Sequence, residues 1–448
     1  MEYKAIAEKI FKKALKHGAD EAEVYLSSDK EFELSVRNGD VENIKQATSK
    51  GLGLTVFTDK KLGFSYTSDF SEESLDDFAK KTVGLALVAD SKPWNGLPDH
   101  EQKKMKDLDL YDQAIAEMPS EKKIALVQKV EKIALSADKR ITKTDGGFLA
   151  NFETEMLLVN SKGISCSSMR GGLYYGVYVI AGEGDDMQSG SWYSYKCHLK
   201  DLDLVENVAK TAAKRAVDRL GSRPVDTQKA TVVYDRYATG SFWGGILYAM
   251  NGDSVFKKTT FLTDYLNKPI ASELITIVDD PTVPRHVSSR PFDGEGKATQ
   301  KNVIIDKGVL KMFFYNTITA RKAGVDAETI ATRYGYRSMP GAGYLNAIVK
   351  KGDTTREKII SGVKNGFYVT GLRGRGTDVP TGTYSCGASG FWIKDGEIAF
   401  PVDGVTLGGN ALDILKNIEV LADDTDLRGS LSSPSFKVAE MTIGGKRS

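Results

Sequence analysis

The chain turns back on itself at Phe32-Glu33-Leu34-Ser35-Val36-Arg37-Asn38-Gly39. Apolar side chains at every second position predict a strand with one buried face, and Asn-Gly is the strongest short-range signal of a β-hairpin. The segments on either side of this turn are therefore expected to pair as antiparallel strands.

Further alternating and helical patterns surround this hairpin. A helix with apolar residues at helical spacing precedes it and stops at Gly18. Separate strands are predicted over residues 21–28, 32–36, 52–56 and 62–66, and a helix capped by Ser71 runs to about residue 90. An α-β-β-β-β-α unit over residues 1–98 follows, and antiparallel strands with helices to one side are typical of an α+β fold.

Two more units are predicted after a charged linker over residues 91–118. The central unit, residues 119–226, opens with a helix at Pro119-Ser120, continues in long strands and ends in a second helix. Residues 229–448 are rich in glycine and in short strands, which predicts a mostly antiparallel β domain, either a sandwich or a partly closed barrel.

The composition excludes several classes of function. Lys plus Arg number 61 against 60 for Asp plus Glu, so the basic excess of a nucleic-acid-binding protein is missing. The densest apolar run, residues 173–181, is short, rich in tyrosine and interrupted by glycine, so no membrane span is expected. Three separated cysteines without a CxxC motif indicate a reducing, cytoplasmic compartment.

Histidines offer little support for a metal site. A catalytic zinc needs three protein ligands, usually with two histidines close together on one helix. The four histidines lie far apart, at His17, His100, His198 and His286. His100-Glu101 begins like a zinc-protease motif, but no second histidine follows it.

Three other segments carry chemically active side chains. Cys386 is the best nucleophile candidate, although no histidine base lies near it in sequence and strand cysteines often act as small apolar residues. The loop 288–296 contains Arg290, Asp293 and Glu295, whose carboxylates could do acid–base chemistry or simply cap their own loop. The segment 371–378 holds two arginines that could meet a carboxylate or backbone carbonyls, Arg373 and Arg375.

Taken together, several motifs resemble the TldD/PmbA family. They are Arg37-Asn38-Gly39-Asp40-Val41-Glu42, Gly51-Leu52-Gly53-Leu54, Ser289-Arg290-Pro291-Phe292-Asp293-Gly294-Glu295-Gly296, Gly366-Phe367-Tyr368-Val369-Thr370-Gly371-Leu372, Thr381-Gly382-Thr383-Tyr384-Ser385 and Gly390-Phe391-Trp392-Ile393. The resemblance runs from about residue 18 to residue 445. One departure is Thr55, where the family often has arginine.

The resemblance implies a subunit whose zinc motif is degenerate. TldD-like members carry His-Glu-x-x-x-His followed by Gly-Asp, and alignment on Gly252-Asp253 places Trp243, Gly244 and Tyr248 at the first His, the Glu and the second His. An indole or a glycine offers no ligand lone pair, and a phenol ionises only near pH 10. The third ligand of the active members, a cysteine, has no counterpart in residues 424–436.

The expectation is therefore a PmbA/TldE-type subunit without metal, paired with a zinc-bearing TldD-like subunit and acting on unstructured peptides. The family is linked to peptide-antibiotic maturation, antitoxin degradation and, indirectly, DNA gyrase. The isolated chain is expected to form a homodimer. The residues expected to contact peptide are Arg290, Asp293, Glu295, Arg373, Arg375 and Cys386.

Two alternatives stay open from the residues. One is a self-sufficient hydrolase that uses Cys386 or an unrecognised metal site. The other is a peptide-binding adaptor that has no catalytic activity.

Overall fold

The computed structural model describes residues 2–99 and 101–445, and its fold is α+β, as predicted. The first half has helices α1 (Glu2–Lys16), α2 (Glu72–Val88), α3 (Gln113–Ala116), α4 (Ser120–Ser136) and α5 (Val205–Val217). Its strands are β1 (Glu21–Arg37), β2 (Asp40–Thr58), β3 (Lys61–Thr67), β4 (Ile141–Asn160), β5 (Ser165–Ala181) and β6 (Gln188–Lys196), and a 3₁₀ turn spans Leu199–Asp201.

These six strands form one antiparallel sheet, here called the large sheet, in the order β3-β2-β1-β4-β5-β6. β1 pairs with β2 on one side and with β4 on the other. The units drawn at 1–98 and 119–226 therefore share a sheet, although each has its own helices. Both helix layers cover the same face, because alternate residues of β1 enter both cores: Val24 and Leu26 the first, Leu34 and Val36 the second.

The β1–β2 hairpin forms where the sequence predicts it. Arg37 pairs with Asp40, and both intervening residues have positive φ, 53° at Asn38 and 84° at Gly39, as a type I′ turn requires. The predicted strand count is wrong, since residues 21–28 and 32–36 belong to one strand. The polar residues between them, 29–31, stay paired with β2 and β4, and backbone hydrogen bonding on both sides keeps the strand continuous.

The C-terminal part, residues 228–445, holds the remaining elements. Its helices are α6 (Gly240–Tyr248), α7 (Gly252–Phe256), α8 (Thr317–Ala323), α9 (Arg356–Ser361) and α10 (Ala411–Lys416). Its strands are β7 (Gln228–Tyr234), β8 (Ile277–Asp279), β9 (Asn302–Asp306), β10 (Val309–Leu310), β11 (Ala331–Thr332), β12 (Gly341–Ala342), β13 (Ala347–Val349), β14 (Asn365–Thr377), β15 (Thr383–Lys394), β16 (Glu397–Asn410), β17 (Ile418–Leu421), β18 (Leu431–Ser432) and β19 (Phe436–Gly444). No helix in the described part of the chain is long and apolar enough to span a membrane.

A closed barrel organises this part. Its strands follow the order β16-β15-β14-β7-β19-β17, and β16 pairs with β19 as well, which closes five strands into a ring. Among the described strands of this sheet only β7 and β14 run parallel, so the prediction of a mostly antiparallel β domain is confirmed. Of the two forms left open, a sandwich or a partly closed barrel, the structure has a barrel, and it is closed. A smaller sheet, β10-β9-β8-β13-β18, packs beside it.

The large sheet meets the C-terminal part on the face that carries no helices. Tyr25 and Cys166 from the sheet pack against Phe292 and Tyr336. Beside them Arg333 donates to Glu23 at 2.7 Å, and their side chains are 3% and 4% exposed. The predicted linker, residues 91–118, runs along this junction and contributes buried leucines; His100 lies outside the described residues.

The buried ion pair gives a test of this junction. We expect Glu23→Gln to lower the free energy of unfolding by about 3–5 kcal/mol, because the substitution leaves the Arg333 cation buried without its counter-charge. The matched control is Glu33→Gln, whose partner Lys45 is half-exposed, and which should cost less than about 1 kcal/mol. Chemical denaturation of the two variants measures the difference, and equal losses would contradict the assignment.

Candidate functional site

Helix α6 places Trp243 in the core rather than at a cleft. The indole is 0% exposed and its N–H donates to the Ser433 hydroxyl at 3.0 Å. Its ring lies 5.1 Å from that of Phe242 and 5.6 Å from that of Phe436, measured between centroids. The only polar atom of the side chain is thus a satisfied donor, which cannot coordinate a metal.

The other two positions of the implied zinc motif lie on the outer face of α6. A Cβ placed on Gly244 would find no atom within 4 Å, and Tyr248 is 69% exposed. The three positions therefore do not converge, and none of them supplies a ligand lone pair near neutral pH. Across the described residues, no three or more His, Cys, Asp or Glu side chains cluster as metal ligands would. The residues present do not fit zinc.

The Asn-Gly-Asp turn after α6 is held by local hydrogen bonds. The Asn251 side chain accepts from the backbone N–H groups of Asp253 and Ser254 and caps α7. Asp253 pairs with Lys257 at 2.5 Å and with Lys322 at 2.6 Å, and hydrogen bonds from these lysines lower the pKa of its carboxyl. The turn packs tightly against Tyr315: a Cβ on Gly252 would lie 2.1 Å from the Tyr315 ring, so this position has no room for a side chain.

The end of β14 runs beside α6 and carries both predicted arginines. A Cβ on Gly245 would lie 3.0 Å from that of Thr377, so strand and helix are in close contact. The Arg373 side chain is 66% exposed and donates to Asp403 at 3.0 and 3.1 Å. Arg375 is exposed. Both arginine side chains are therefore open to solvent.

Cys386 requires a correction. The side chain is 2% exposed within the barrel core, and its thiol donates to the Arg373 carbonyl at 3.0 Å. Tyr234 and Tyr384 belong to the same core cluster. Because these neighbours shield it, Cys386 contacts no peptide in this conformation and is badly placed for a nucleophile.

The carboxylates of the loop 289–296 are also internal. Asp293 accepts from the backbone N–H groups of Glu295, Lys297 and Ala331 at 2.9–3.1 Å. Glu295 accepts from the Thr317 amide and hydroxyl at the start of α8. Their exposures are 5% and 4%, and these side chains cap the loop and the start of α8, as the capping alternative predicts; a peptide contact at either one stays a prediction. Arg290 is half-buried where the loop meets the large sheet.

The predicted residues thus fall into two groups, Arg373, Arg375 and Cys386 around β14, and Arg290, Asp293 and Glu295 at the sheet junction. Sequence reasoning missed Ser433, which bonds Trp243 from a segment 190 positions away. Ser433 lies among several other serines, so the local sequence gives no indication of its contact with Trp243. The segment that contains Ser433, residues 424–436, is the one where the family resemblance would place the third metal ligand of the active members.

Comparisons with known proteins cover almost the whole chain. Residues 22–86 match the description PmbA/TldA metallopeptidase domain 1, residues 114–220 the central domain and residues 227–445 the C-terminal domain. Metalloprotease PmbA of Escherichia coli O157:H7 is 32% identical over 434 residues, which cover 96% of this chain and 93% of that protein.

Solved structures share the fold. A proposed modulator of DNA gyrase from Bacteroides thetaiotaomicron superposes with a TM-score of 0.92 at 28% identity and covers 99% of each chain. TldE from Thermococcus kodakarensis has a TM-score of 0.89 at 21% identity, covering 98% of this chain and all of that one. At the lower identity the similarity shows the fold alone.

Two glycines near the degenerate motif should respond oppositely to alanine. We expect Gly252→Ala to destabilise the protein by about 1–3 kcal/mol, because the new methyl group overlaps the Tyr315 ring. Gly244→Ala, on the open face of α6, should stabilise it by up to about 1 kcal/mol through helix propensity. Thermal denaturation of both variants checks the prediction, and a destabilised Gly244→Ala variant would contradict the open face.

The buried carboxyls make stability depend on pH. Burial raises the pKa of Asp293 and of Glu295, the latter to about 7. The folded state therefore holds more protons than the unfolded state between about pH 4 and about pH 7, so these groups lower the unfolding free energy as pH rises through that window.

We expect Glu295→Gln to reduce this loss, since the amide does not ionise. The measurement is the change in unfolding free energy between pH 5 and pH 8, compared with the exposed-site control Glu33→Gln. A profile for Glu295→Gln that matches the wild type would contradict the prediction.

Proposed function

The chain belongs to the PmbA/TldD metallopeptidase family, and from this premise we propose that it is a PmbA/TldE-type subunit without its own zinc. A TldD-like partner supplies the zinc, the attacking water and the general base, and the two chains form a heterodimer. This chain helps to hold the substrate, an unstructured peptide.

The geometry of α6 is the observation that carries this proposal. Trp243 is buried in the core, and its single N–H group donates to Ser433, whereas Gly244 and Tyr248 face outward. The positions that would bind metal in a TldD-like chain are instead used for packing and for an exposed surface. Restoring one residue would not rebuild a site, because the three positions face different directions: Trp243 faces the core, whereas Gly244 and Tyr248 face outward.

The end of β14 offers a place for the peptide. β14 pairs with β7 only from Gly366 to Val369, so beyond Val369 that edge has no strand partner among the described residues. Residues 373–375 of this segment are exposed and two of them are arginines. An extended peptide can add to such an edge through backbone hydrogen bonds, with the arginines meeting its carbonyls or carboxylates.

The biological setting is proposed on the same premise. The three cysteines are free and buried, which favours a cytoplasmic location. Peptide-antibiotic maturation, antitoxin degradation and an indirect effect on DNA gyrase are the roles that such a complex would serve. In the absence of its partner the chain is proposed to form a homodimer through the surface that the partner would cover.

Reconstitution with a TldD-like chain tests the proposal. We expect the isolated chain to leave an unstructured peptide intact and the mixture to cleave it, with zinc bound at one equivalent per TldD-like chain. The measurements are peptide cleavage, co-purification and metal analysis of each separated subunit.

A matched variant separates this proposal from a self-sufficient hydrolase. Cys386→Ala should leave cleavage by the complex unchanged, provided that its melting temperature shows a folded protein. Cleavage by the isolated chain, with stoichiometric metal or with loss of turnover in Cys386→Ala, would overturn the proposal.

A further inference from the structure

One face of the large sheet is only partly covered. Helices occupy the opposite face, while the C-terminal part covers the end near Tyr25 and Cys166 and, together with the segment 91–118, reaches Tyr195 through Val287, Leu108 and Leu110. Farther along the same face, every second residue of β4, β5 and β6 points away from the helices, as strand geometry requires. Six of these are aromatic and define the aromatic face: Phe148, Phe152, Tyr174, Tyr178, Tyr193 and Tyr195.

The rings form a connected set around Tyr174. Its ring centroid lies 4.9 Å from that of Phe148, with planes 26° apart, and also 4.9 Å from that of Tyr193. None of the six side chains is fully buried, and Tyr178 is 45% exposed. An aromatic surface of this kind, left half-open to solvent, is typical of an interaction site.

Glycines on β5 leave room for rings of the neighbouring strands. Gly176 is directly opposite Phe148, and a Cβ there would come within 2.5 Å of the Phe148 ring. At Gly172, a Cβ would lie 3.1 Å from Phe152 and 3.2 Å from Tyr195. The rings around Tyr174 meet it at angles from 26° to 88°, so the surface offers both ring faces and ring edges to a ligand.

Two arginines lie where the aromatic face meets the C-terminal part. Arg170 is opposite Thr154 on the same face, and Thr154 in turn is opposite Asp29. The Arg170 guanidinium lies 5.6 Å from the centroid of the Phe152 ring. Arg290 enters from the loop 289–296, two residues before Phe292, which packs against Tyr25 and Cys166.

Neither arginine has an anionic partner in the part of the chain that the structure describes. Arg170 forms no ion pair there, and its Nε is buried without a hydrogen bond. Arg290 likewise forms no ion pair and no side-chain hydrogen bond among those residues, and burial together with the Arg170 charge lowers its pKa to about 10. Two neighbouring like charges repel each other, and an anion bound between the partly exposed guanidinium groups would remove that cost.

The aromatic face is also continuous with the α6 region. Arg428 reaches the edge strand β6, where it donates to the Tyr193 carbonyl at 2.7 Å and its guanidinium lies 5.6 Å from the Tyr193 ring. The same guanidinium lies 5.3 Å from the ring of Tyr237, three residues before α6 begins. A peptide on the aromatic face would therefore pass close to the helix that carries the degenerate motif.

We propose that the aromatic face binds an extended peptide and that Arg170 and Arg290 hold a carboxylate of that peptide. The carboxylate comes from an acidic side chain or from the C-terminus, and the neighbouring peptide side chains stack on the rings around Tyr174. This inference rests on the proposed function and names its substrate class: unstructured peptides with an acidic group close to aromatic or apolar residues.

Binding of a fluorescein-labelled, unstructured peptide that contains tyrosine and glutamate tests the inference by anisotropy. We expect Arg170→Gln and Arg290→Gln to weaken binding at least about tenfold, the cost of one charge-assisted hydrogen bond. Arg37→Gln, which removes an exposed arginine at the distant hairpin, should leave affinity unchanged. Tyr174→Ala should weaken binding, whereas Tyr66→Ala, outside the aromatic face, should not.

Changing the peptide rather than the protein removes any effect of a misfolded variant. It also identifies the source of the carboxylate. Glutamine in place of glutamate weakens binding if the side chain is held, and C-terminal amidation weakens it if the terminus is held. Full affinity for a peptide with both changes would overturn the inference. So would a Tyr174→Ala variant that changes the oligomeric state while peptide affinity stays the same, since the face would then join two copies.

Kinetics of the reconstituted complex distinguish this inference from the proposed function. If both hold, Arg170→Gln raises KM for the acidic peptide with little change in kcat. A complex that cleaves the peptide with an unaltered KM in Arg170→Gln and Arg290→Gln defeats the inference alone. The opposite outcome defeats the proposed function alone: the isolated chain binds the peptide through its carboxylate, but no TldD-like subunit cleaves peptide in its presence.

Discussion

The continuous pairing of β1 with β2 and β4 is the constraint on which the rest of the molecule depends. It joins two helix-covered units into a single sheet, and the alternation along β1 sends both helix layers to one face. The opposite face is then free to receive the C-terminal part at one end. The Glu23–Arg333 ion pair and the aromatic face are both consequences of that arrangement.

Trp243 on α6 shows how a large side chain with one polar atom is accommodated in the core of the C-terminal part. Trp243 fills the space with a large apolar side chain and satisfies its one polar atom with Ser433. Burial of the indole stabilises the barrel, whereas a buried cluster of ligands without metal would carry unpaired polar groups. The same helix keeps small residues and Tyr248 on its outer face, beside the arginines of β14.

Local signals predicted much of the fold. The Asn38-Gly39 turn, the helix periods and the glycine-rich barrel strands follow from neighbouring residues, so they were readable in the sequence. The break assumed at residues 29–31 was wrong because pairing on both sides outweighs the local polarity. For the loop carboxylates and Cys386 the sequence left a structural and a functional role open, since burial by distant segments leaves no mark in the local sequence.

By itself the sequence determined the α+β class, the mostly antiparallel character of the C-terminal part and the family resemblance, because each depends on residue type and short-range spacing. Only the tertiary structure decided that two units share one sheet, that Asp293 and Glu295 are internal caps, and that Arg170 lies near Arg290 below an open aromatic surface. Those outcomes depend on tertiary contacts: β1 pairs with β4 across more than a hundred positions, and Asp293 accepts from Ala331, 38 positions away.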